Sequence, residues 1–206
     1  NEAVSLMGFK QVGSIALGLA AMSSLPKVDV VGFDYEQFWE RSLAHAVSAV
    51  MITSRVNREA SHGIFTVSLL QNIGTYILAR HLPVLHGYAL AIADQRGIHL
   101  AQAELEALGT DHADIGAHLA ERWNLPPNMT IPIRHHHYLD QGVELDSAST
   151  AGDLLLSTNL LNVASLLADT HYADDGDPVR NLLVERAQDL LGLNEAGLNE
   201  LLADLP

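Results

Sequence analysis

The 206-residue chain carries 11 Lys and Arg against 25 Asp and Glu, a net charge of −14, and no cysteine. Disulfides, thiolate metal sites and cysteine nucleophiles are therefore excluded. The charge argues against nucleic acid and against an anionic membrane surface as direct partners, since no cluster of basic residues forms a phosphate-tracking stripe. Hydrophobic residues make up 48% and aromatics 5%, so the core is mostly aliphatic and the Leu and Ala content favours helices. The length fits one domain with room for a small appendage.

A first helix is predicted over Ser5 to Ser23, ending before Leu25-Pro26. Its Gly13 and Gly18 read as close helix packing, because no lysine follows them and no strand precedes them, as a phosphate loop requires. The most apolar stretch, Gly13 to Leu25, is too short to span a bilayer. No basic segment leads into an apolar one with a cleavage site, so the expected location is cytoplasmic. Asp34 is a good N-cap for the second helix, with Gln37 placed to reciprocate as in a capping box. That helix runs to about Val56, with Phe38, Leu43, Ala46, Val47, Val50 and Met51 as its buried face.

The segment from Ile64 to Ala79 is too apolar for a surface helix and is expected to be the central, buried one. After Pro83 a helix is predicted from Val84 to Gln95. A short one follows over Ala101 to Leu108 with Gly109 as its C′ residue. Thr110 or Asp111 caps the next, which reaches Trp123 and is stopped by Asn124-Leu125-Pro126-Pro127. A further helix carries His135, His136 and His137. The link Gln141 to Ser149 precedes a start at Thr150-x-x-Asp153, and this helix runs to Asp169. Asp177-Pro178 opens another with proline at its first position, and Asn194 to Ala203 is a last amphipathic helix. No strand alternation persists and no internal repeat is visible, so the fold class is all-α.

Eleven histidines raise the question of a metal. The triplet His135-His136-His137 is the most conspicuous, although successive helical residues point about 100° apart and at most two of the three can address one centre. His45, His112, His118 and His171 lie on neighbouring helices, with Asp111, Asp114 and Asp169 in the same segments. Imidazole and carboxylate converging from several elements suit first-row metals; histidines on helices are also common as surface residues or hydrogen-bonded fillers. No nucleophile elbow, P-loop or dinucleotide fingerprint is present.

Leu69-Leu70-Gln71-Asn72-Ile73-Gly74 resembles the G-L-L-H-D-I-G signature of HD-type metal phosphohydrolases, with His-Asp replaced by Gln-Asn. Phe38-Trp39-Glu40-Arg41-Ser42-Leu43 resembles their F-W-x-H-S-L run. The stretch from Leu108 to Leu119 (LGTDHADIGAHL), followed by Trp123-Asn124-Leu125-Pro126, is similar to the run L-G-x-D-H-x-x-x-G-x-x-L and W-x-L-P of HDOD domains. Ile133-Arg134-His135-His136-His137, the segment from Asn162 to Asp169, and the upstream segment from Ala3 to Val12 agree with further pieces in the right order. On these residues the chain is identified as a member of the HDOD family, a degenerate branch of the HD and HD-GYP proteins.

The resemblance implies an HD-domain-like helical bundle over residues 1–170, lacking the family's first helices, with 171–206 as a C-terminal helical extension packed on it. It implies a bacterial, cytoplasmic module of a larger signalling protein, beside or docking receiver, GAF or cyclic-dinucleotide domains. It places the first ligand histidine of the pattern on Arg41 and the His-Asp pair on Gln71 and Asn72. His112, one or two of His135 to His137, and Asp169 match the remaining ligand positions. A guanidinium cannot donate a lone pair, and neutral amides are poor ligands. The expectation is therefore a relic pocket of Arg41, Gln71, Asn72, His112, His136, His137 and Asp169, with no catalytic residue, no metal and no cofactor. In that pocket Gln71 and Asn72 hydrogen-bond the remaining histidines and Asp169, and Arg41 forms a buried ion pair with Asp169; His45, one turn beyond Arg41, is an alternative ligand. Three functions compete: a non-enzymatic regulatory module, a nucleotide sensor using the relic pocket, and an atypical metal-dependent phosphohydrolase. The apolar residues from Leu190 to Leu205 offer a surface for a homodimer.

Overall fold

The computed structural model describes residues 9–30, 32–56, 63–143, 145, 152–173 and 178–203. Among these residues the regular structure is helical, apart from one isolated bridge between Val30 and Phe33. Helix α1 covers Phe9–Ser24 and α2 covers Tyr35–Val56. Asp34 Oδ1 accepts hydrogen bonds from the backbone N–H groups of Glu36 and Gln37, both at 2.9 Å, the N-cap that fixes where α2 begins. The upstream motif from Ala3 lies largely outside the described residues.

The central apolar segment is not one helix. It divides into α3, Ile64–Leu70, and α4, Ile73–His81, with Gln71 and Asn72 at the break. The expectation of a continuous helix failed because these amides reach sideways to partners on other helices, as described below, and the backbone leaves helical geometry at Asn72 (φ −96°, ψ 11°). Then come α5, Pro83–Arg96, and α6, Leu100–Leu108, which ends at Gly109 with φ +74°. Helix α7 is His112–Arg122, capped by Asp111, whose Oδ1 accepts from the Asp114 N–H at 2.8 Å. Asn124 takes the left-handed conformation (φ 58°) that turns the chain, which asparagine tolerates better than most residues. Helix α8 is Pro127–His135, α9 Gly152–Asp169, α10 Val179–Leu191 and α11 Glu195–Ala203. The expected start motifs at Thr150 and Asp177 lie outside the described residues.

Helix α9 occupies the middle, packed against α2, α8 and α10, while α3 packs on α1, α2 and α8 and α4 packs on α7. One apolar cluster joins Ile52, Leu70, Ile133, Leu160, Leu161 and Leu167 to Leu183, Leu198 and Leu201 of the last two helices. Leu190, Leu191, Leu193 and Leu202 pack against it as well, so the apolar residues of the tail serve the chain's own core. A second cluster gathers Trp39, Leu69, Ile73 and Tyr76 around Phe33, Tyr35 and Phe38. The predicted buried face of α2 is half right. Ala46 is fully buried, but Leu43 is 46% exposed, and Trp39, Ser42, His45, Ala49 and Ile52 turn inward instead. Polar residues take that face because it borders a cavity.

Gly74 sets the closest helix contact. A Cβ there would collide with the backbone of His112 and Gly116, and a Cβ on Gly116 would stand 3.3 Å from Gly74 N. Helix α4 thus lies directly on the start of α7, which places His112. Gly18 also packs closely, with a Cβ 2.8 Å from Leu69 Cδ2, whereas Gly13 has open space; the glycine pair of α1 is a packing feature at one position only. Among the described residues, no helix is long and apolar enough to cross a membrane.

Candidate functional site

A cavity of about 690 Å³ opens between α2, α9, α10, the α3–α4 break and the turn after α8. Its lining includes Arg41, Asn72, His112, His136, His137 and Asp169. Gln71 does not line it; fully buried, it stands behind the wall. Six of the seven predicted residues are therefore brought together around one space, at two distinct ends.

At the first end, the Nε2 of Gln71 donates to His45 Nδ1 (3.1 Å) and to Ser165 Oγ (3.0 Å). Asn72 Nδ2 donates to the same His45 nitrogen at 3.3 Å. A nitrogen receiving two N–H groups has no proton of its own, so neutral His45 carries its proton on Nε2. That atom stands 3.5 Å from Asp169 Oδ1, longer than a good hydrogen bond. The amides thus bond histidines, as expected, while Asp169 is met by His45. The predicted buried Arg41–Asp169 ion pair is not formed. Arg41 is exposed, and its guanidinium lies over the Tyr172 ring at 4.7 Å from the centroid. An exposed arginine gains more from a ring face and water than from desolvating itself beside a carboxylate.

At the second end three histidines gather, with the Nε2 atoms of His112 and His137 facing each other and that of His136 facing Asn72. His112 Nδ1 donates to Glu104 Oε2 at 2.5 Å, His136 Nδ1 to the Ile133 carbonyl at 2.7 Å, and His137 Nδ1 to Asp140 Oδ2 at 2.9 Å. The Nε2 atoms of His112 and His137 are 3.0 Å apart, and His136 Nε2 is 3.2 Å from Asn72 Oδ1. The helix ends at His135, so the chain turns there and two adjacent histidines reach one centre; His135 itself does not line the cavity. His118 is bound up with Asp114 and Arg134 on the surface, and His171 packs on Tyr172.

The electrostatics of this end are set by Glu104. Burial pushes its carboxyl up, but the charge and two hydrogen bonds of His112 outweigh burial and hold it below the ordinary range. Burial likewise pushes His112 down, and Glu104 more than reverses that, raising it. His136 and His137 are held well below the usual histidine value, first by burial and then by the neighbouring imidazoles.

Four participants escaped the sequence. Glu104 is fully buried, and its signal was a lone charge on the buried face that it shares with Ala101 and Ala103. His99 caps α6 through Nδ1, which accepts from the Ala101 N–H at 3.2 Å, and packs on His137 with centroids 4.2 Å apart. Asp140 receives His137 on one oxygen and Arg186 of α10 on the other at 2.7 Å, and Arg186 also donates to Asn162 Oδ1 at 3.0 Å. No local pattern announces the last two.

At three positions of the HD-type pattern, Arg41, Gln71 and Asn72, the residues do not fit its ion. Gln71 and Asn72 aim N–H groups at His45, and Arg41 is turned onto a ring. His112, His136 and His137 each offer one ring nitrogen, and these lie within 4.8 Å of one another, close enough to share a cation.

The HDOD domain family model matches residues 1–139. An uncharacterized protein of Treponema pallidum is 26% identical over 147 residues, 70% of this chain, and the chain spans 28% of that protein's length. The crystal structure of an HDOD domain protein of unknown function from Geobacter sulfurreducens superposes over 98% of this chain and 68% of its own, with a TM-score of 0.74 and 21% identity. The MmoQ response regulator of Methylococcus capsulatus matches over 98% of this chain and 75% of its own, with a TM-score of 0.65 and 28% identity. By its motifs, its fold and this family match, the chain belongs to the HDOD domain family.

Proposed function

We propose that the chain is a regulatory module of a larger bacterial signalling protein and does not hydrolyse phosphate esters. The observation that carries this reading is the amide pair. Where the HD-type pattern has His-Asp, Gln71 and Asn72 hold His45 and Ser165 in place with N–H donors. Metal-assisted hydrolysis needs ligands that bear lone pairs, gathered around the ion that activates water. Membership of the HDOD family and likeness to a response regulator support a signalling role. Partners of the receiver, GAF or cyclic-dinucleotide type, attached or separate, in the cytoplasm, suit that role. The test is turnover of nucleotides, cyclic dinucleotides and bis-(p-nitrophenyl) phosphate by tag-free protein, both stripped of metal and loaded with Mn²⁺, Mg²⁺ or Zn²⁺. No turnover above buffer is expected; hydrolysis that disappears in Asn72→Ala would sink the reading.

A second reading, a nucleotide sensor, draws on the cavity itself. Its 690 Å³ falls in the range of small-molecule sites, and Arg41 and Arg186 lie in its wall. A rise in melting temperature with one member of a nucleotide panel, absent in Arg41→Ala, distinguishes sensing from pure scaffolding.

A further inference from the structure

We infer that the outward face of α5 pairs with the same face of a second copy of this chain, the two helices antiparallel about a two-fold axis between Gly87 and Tyr88. The inference is independent of whether the chain hydrolyses anything, and it uses no residue of the cavity.

Helix α5 lies at the edge of the bundle, packed on α4 and α6. His86 and Ala89 are buried on its inner side, and Val84, Gly87, Tyr88 and Ala91 fall within an arc of about 100° on the opposite side. All four are exposed, Val84 by 82% and Tyr88 by 59%. Leu82 and Leu85 beside them are exposed too, and no Asp, Glu, Lys or Arg occurs from Leu82 to Ala93. The large side chains together expose on the order of 400 Å² of apolar surface, a size at which a patch on a monomer is often functional. Two copies of a chain with a net charge of −14 repel each other in general, so a face without charge is where they can meet.

The arrangement of bulk points to a second copy as the occupant. A two-fold contact brings the same patch from both copies together. With the axis between Gly87 and Tyr88, Tyr88 of each copy faces Gly87 of the other, and Val84 faces Ala91. Every large side chain thus meets a small one, twice over. Gly87 answers no need of its own chain: its φ is not positive, and nothing lies within 4 Å of where its Cβ would stand. Glycine inside a helix weakens it relative to alanine, whereas a tyrosine ring of a second copy fills the space the glycine leaves. The same axis carries the exposed Asp94 towards the other copy's α4–α5 turn, where Arg80 and His81 are exposed, and it opposes the two helix dipoles. A parallel pair would set Asp94 against Asp94. The contact buries on the order of 1,000 Å² in total, the lower end for a specific interface, so the dimer is weak and depends on concentration.

The test is sedimentation velocity of tag-free chain over a range of concentrations, with a dimer Kd of about 1–100 µM expected. Val84→Glu buries a charge in the contact and Gly87→Leu fills the notch; each should weaken association about 30-fold or more. Neither position is packed inside the chain, so circular dichroism of dilute samples should show no fall in melting temperature. The chain has no cysteine of its own, so an introduced one reports on geometry. Gly87→Cys should give a disulfide-linked dimer on mild oxidation. Asp94→Cys should not, since the antiparallel register holds the two copies of that position about 20 Å apart. A chain that stays monomeric throughout overturns the inference and leaves the face to a different protein. A dimer that Val84→Glu and Gly87→Leu leave intact overturns it as well, because the copies then meet elsewhere. Linkage through Asp94→Cys without linkage through Gly87→Cys overturns the antiparallel register.

Discussion

The two ends of the cavity are built from the same residue types and have opposite chemistry. At the Gln71–Asn72 end, N–H donors from two amides meet a histidine lone pair, while His45 Nε2 and Gln71 Oε1 are left without a hydrogen bond. At the His112–His136–His137 end, every donor is spent outward on Glu104, Ile133 and Asp140, so lone pairs are left facing inward. Whether a polar cluster can hold a cation is decided by where its protons are fixed, which the residues behind the histidines determine.

The contact that joins the two ends gives the largest expected effect. Gly74 follows the amide pair and lies against the His112 backbone, where an added Cβ finds the carbonyl of His112 and the amide of Gly116. Neither is a side chain that can swing away. Gly74→Ala should cost about 4 kcal/mol or more, and circular dichroism should find the variant unfolded or melting far below the parent. A variant that melts within a few degrees of the parent would mean that α4 and α7 are not held this close.

Next comes Glu104→Gln, which attacks the lone-pair end from behind. Leaving one member of a buried ion pair without its partner costs about 3 kcal/mol. The pH dependence has two sides. Glu104 is held below its ordinary 4.5, so its contribution is present above pH 4.5 and fades as pH falls through the lower folded value. His112 is held above its ordinary 6.5, so its contribution is present below pH 6.5 and is lost as pH rises through the higher folded value. In chelator-treated samples, the stability difference between parent and Glu104→Gln should therefore be greatest between about pH 4.5 and 6.5. It should shrink on both sides, measured by urea unfolding. A difference that stays flat from pH 4 to 9 contradicts the ion pair.

At the amide end, Gln71→Leu keeps the bulk and removes the donor. His45 retains the longer contact from Asn72, and Ser165 keeps its own donation to the Leu161 carbonyl. The loss should be about 1–3 kcal/mol, the cost of stranding buried polar atoms. A loss below about 0.5 kcal/mol in urea unfolding would mean that His45 and Ser165 do not depend on the Gln71 donor.

How much of this was legible in the sequence depends on the range of the interaction. Asp34 and Asp111 announced helix starts and Gly109 a helix end, because a cap acts within a few residues. The run from Leu69 to Gly74 carried the family likeness, and with it the convergence of Arg41, Asn72, His112, His136, His137 and Asp169 on one cavity. The division at Gln71 was hidden because apolar periodicity continues through it; the break comes from hydrogen bonds to residues 26 and 94 positions away. Glu104 left a trace as a charge on a buried face. Asp140 and Arg186 left none, since a surface acid and a helical arginine look alike whether or not they meet across 46 residues.

The smallest effect belongs to the residue that departs most visibly from the HD-type pattern. Arg41 reads as a lost ligand and invites the idea of a buried pair with Asp169, yet it is exposed and rests on Tyr172. A cation over an exposed ring contributes about 0.5–1 kcal/mol, so Arg41→Ala should lower the melting temperature by no more than about 1–4 °C in a chain of this size. Had the pair with Asp169 been buried, removing the arginine would strand a carboxylate and cost about 3–5 kcal/mol, enough to separate the two cases in one melt. A large drop would put Arg41 inside the hydrogen-bond network beside Asp169. A small one leaves it at the mouth, free to meet whatever anionic group enters, while the histidines beyond it hold their shape without its help.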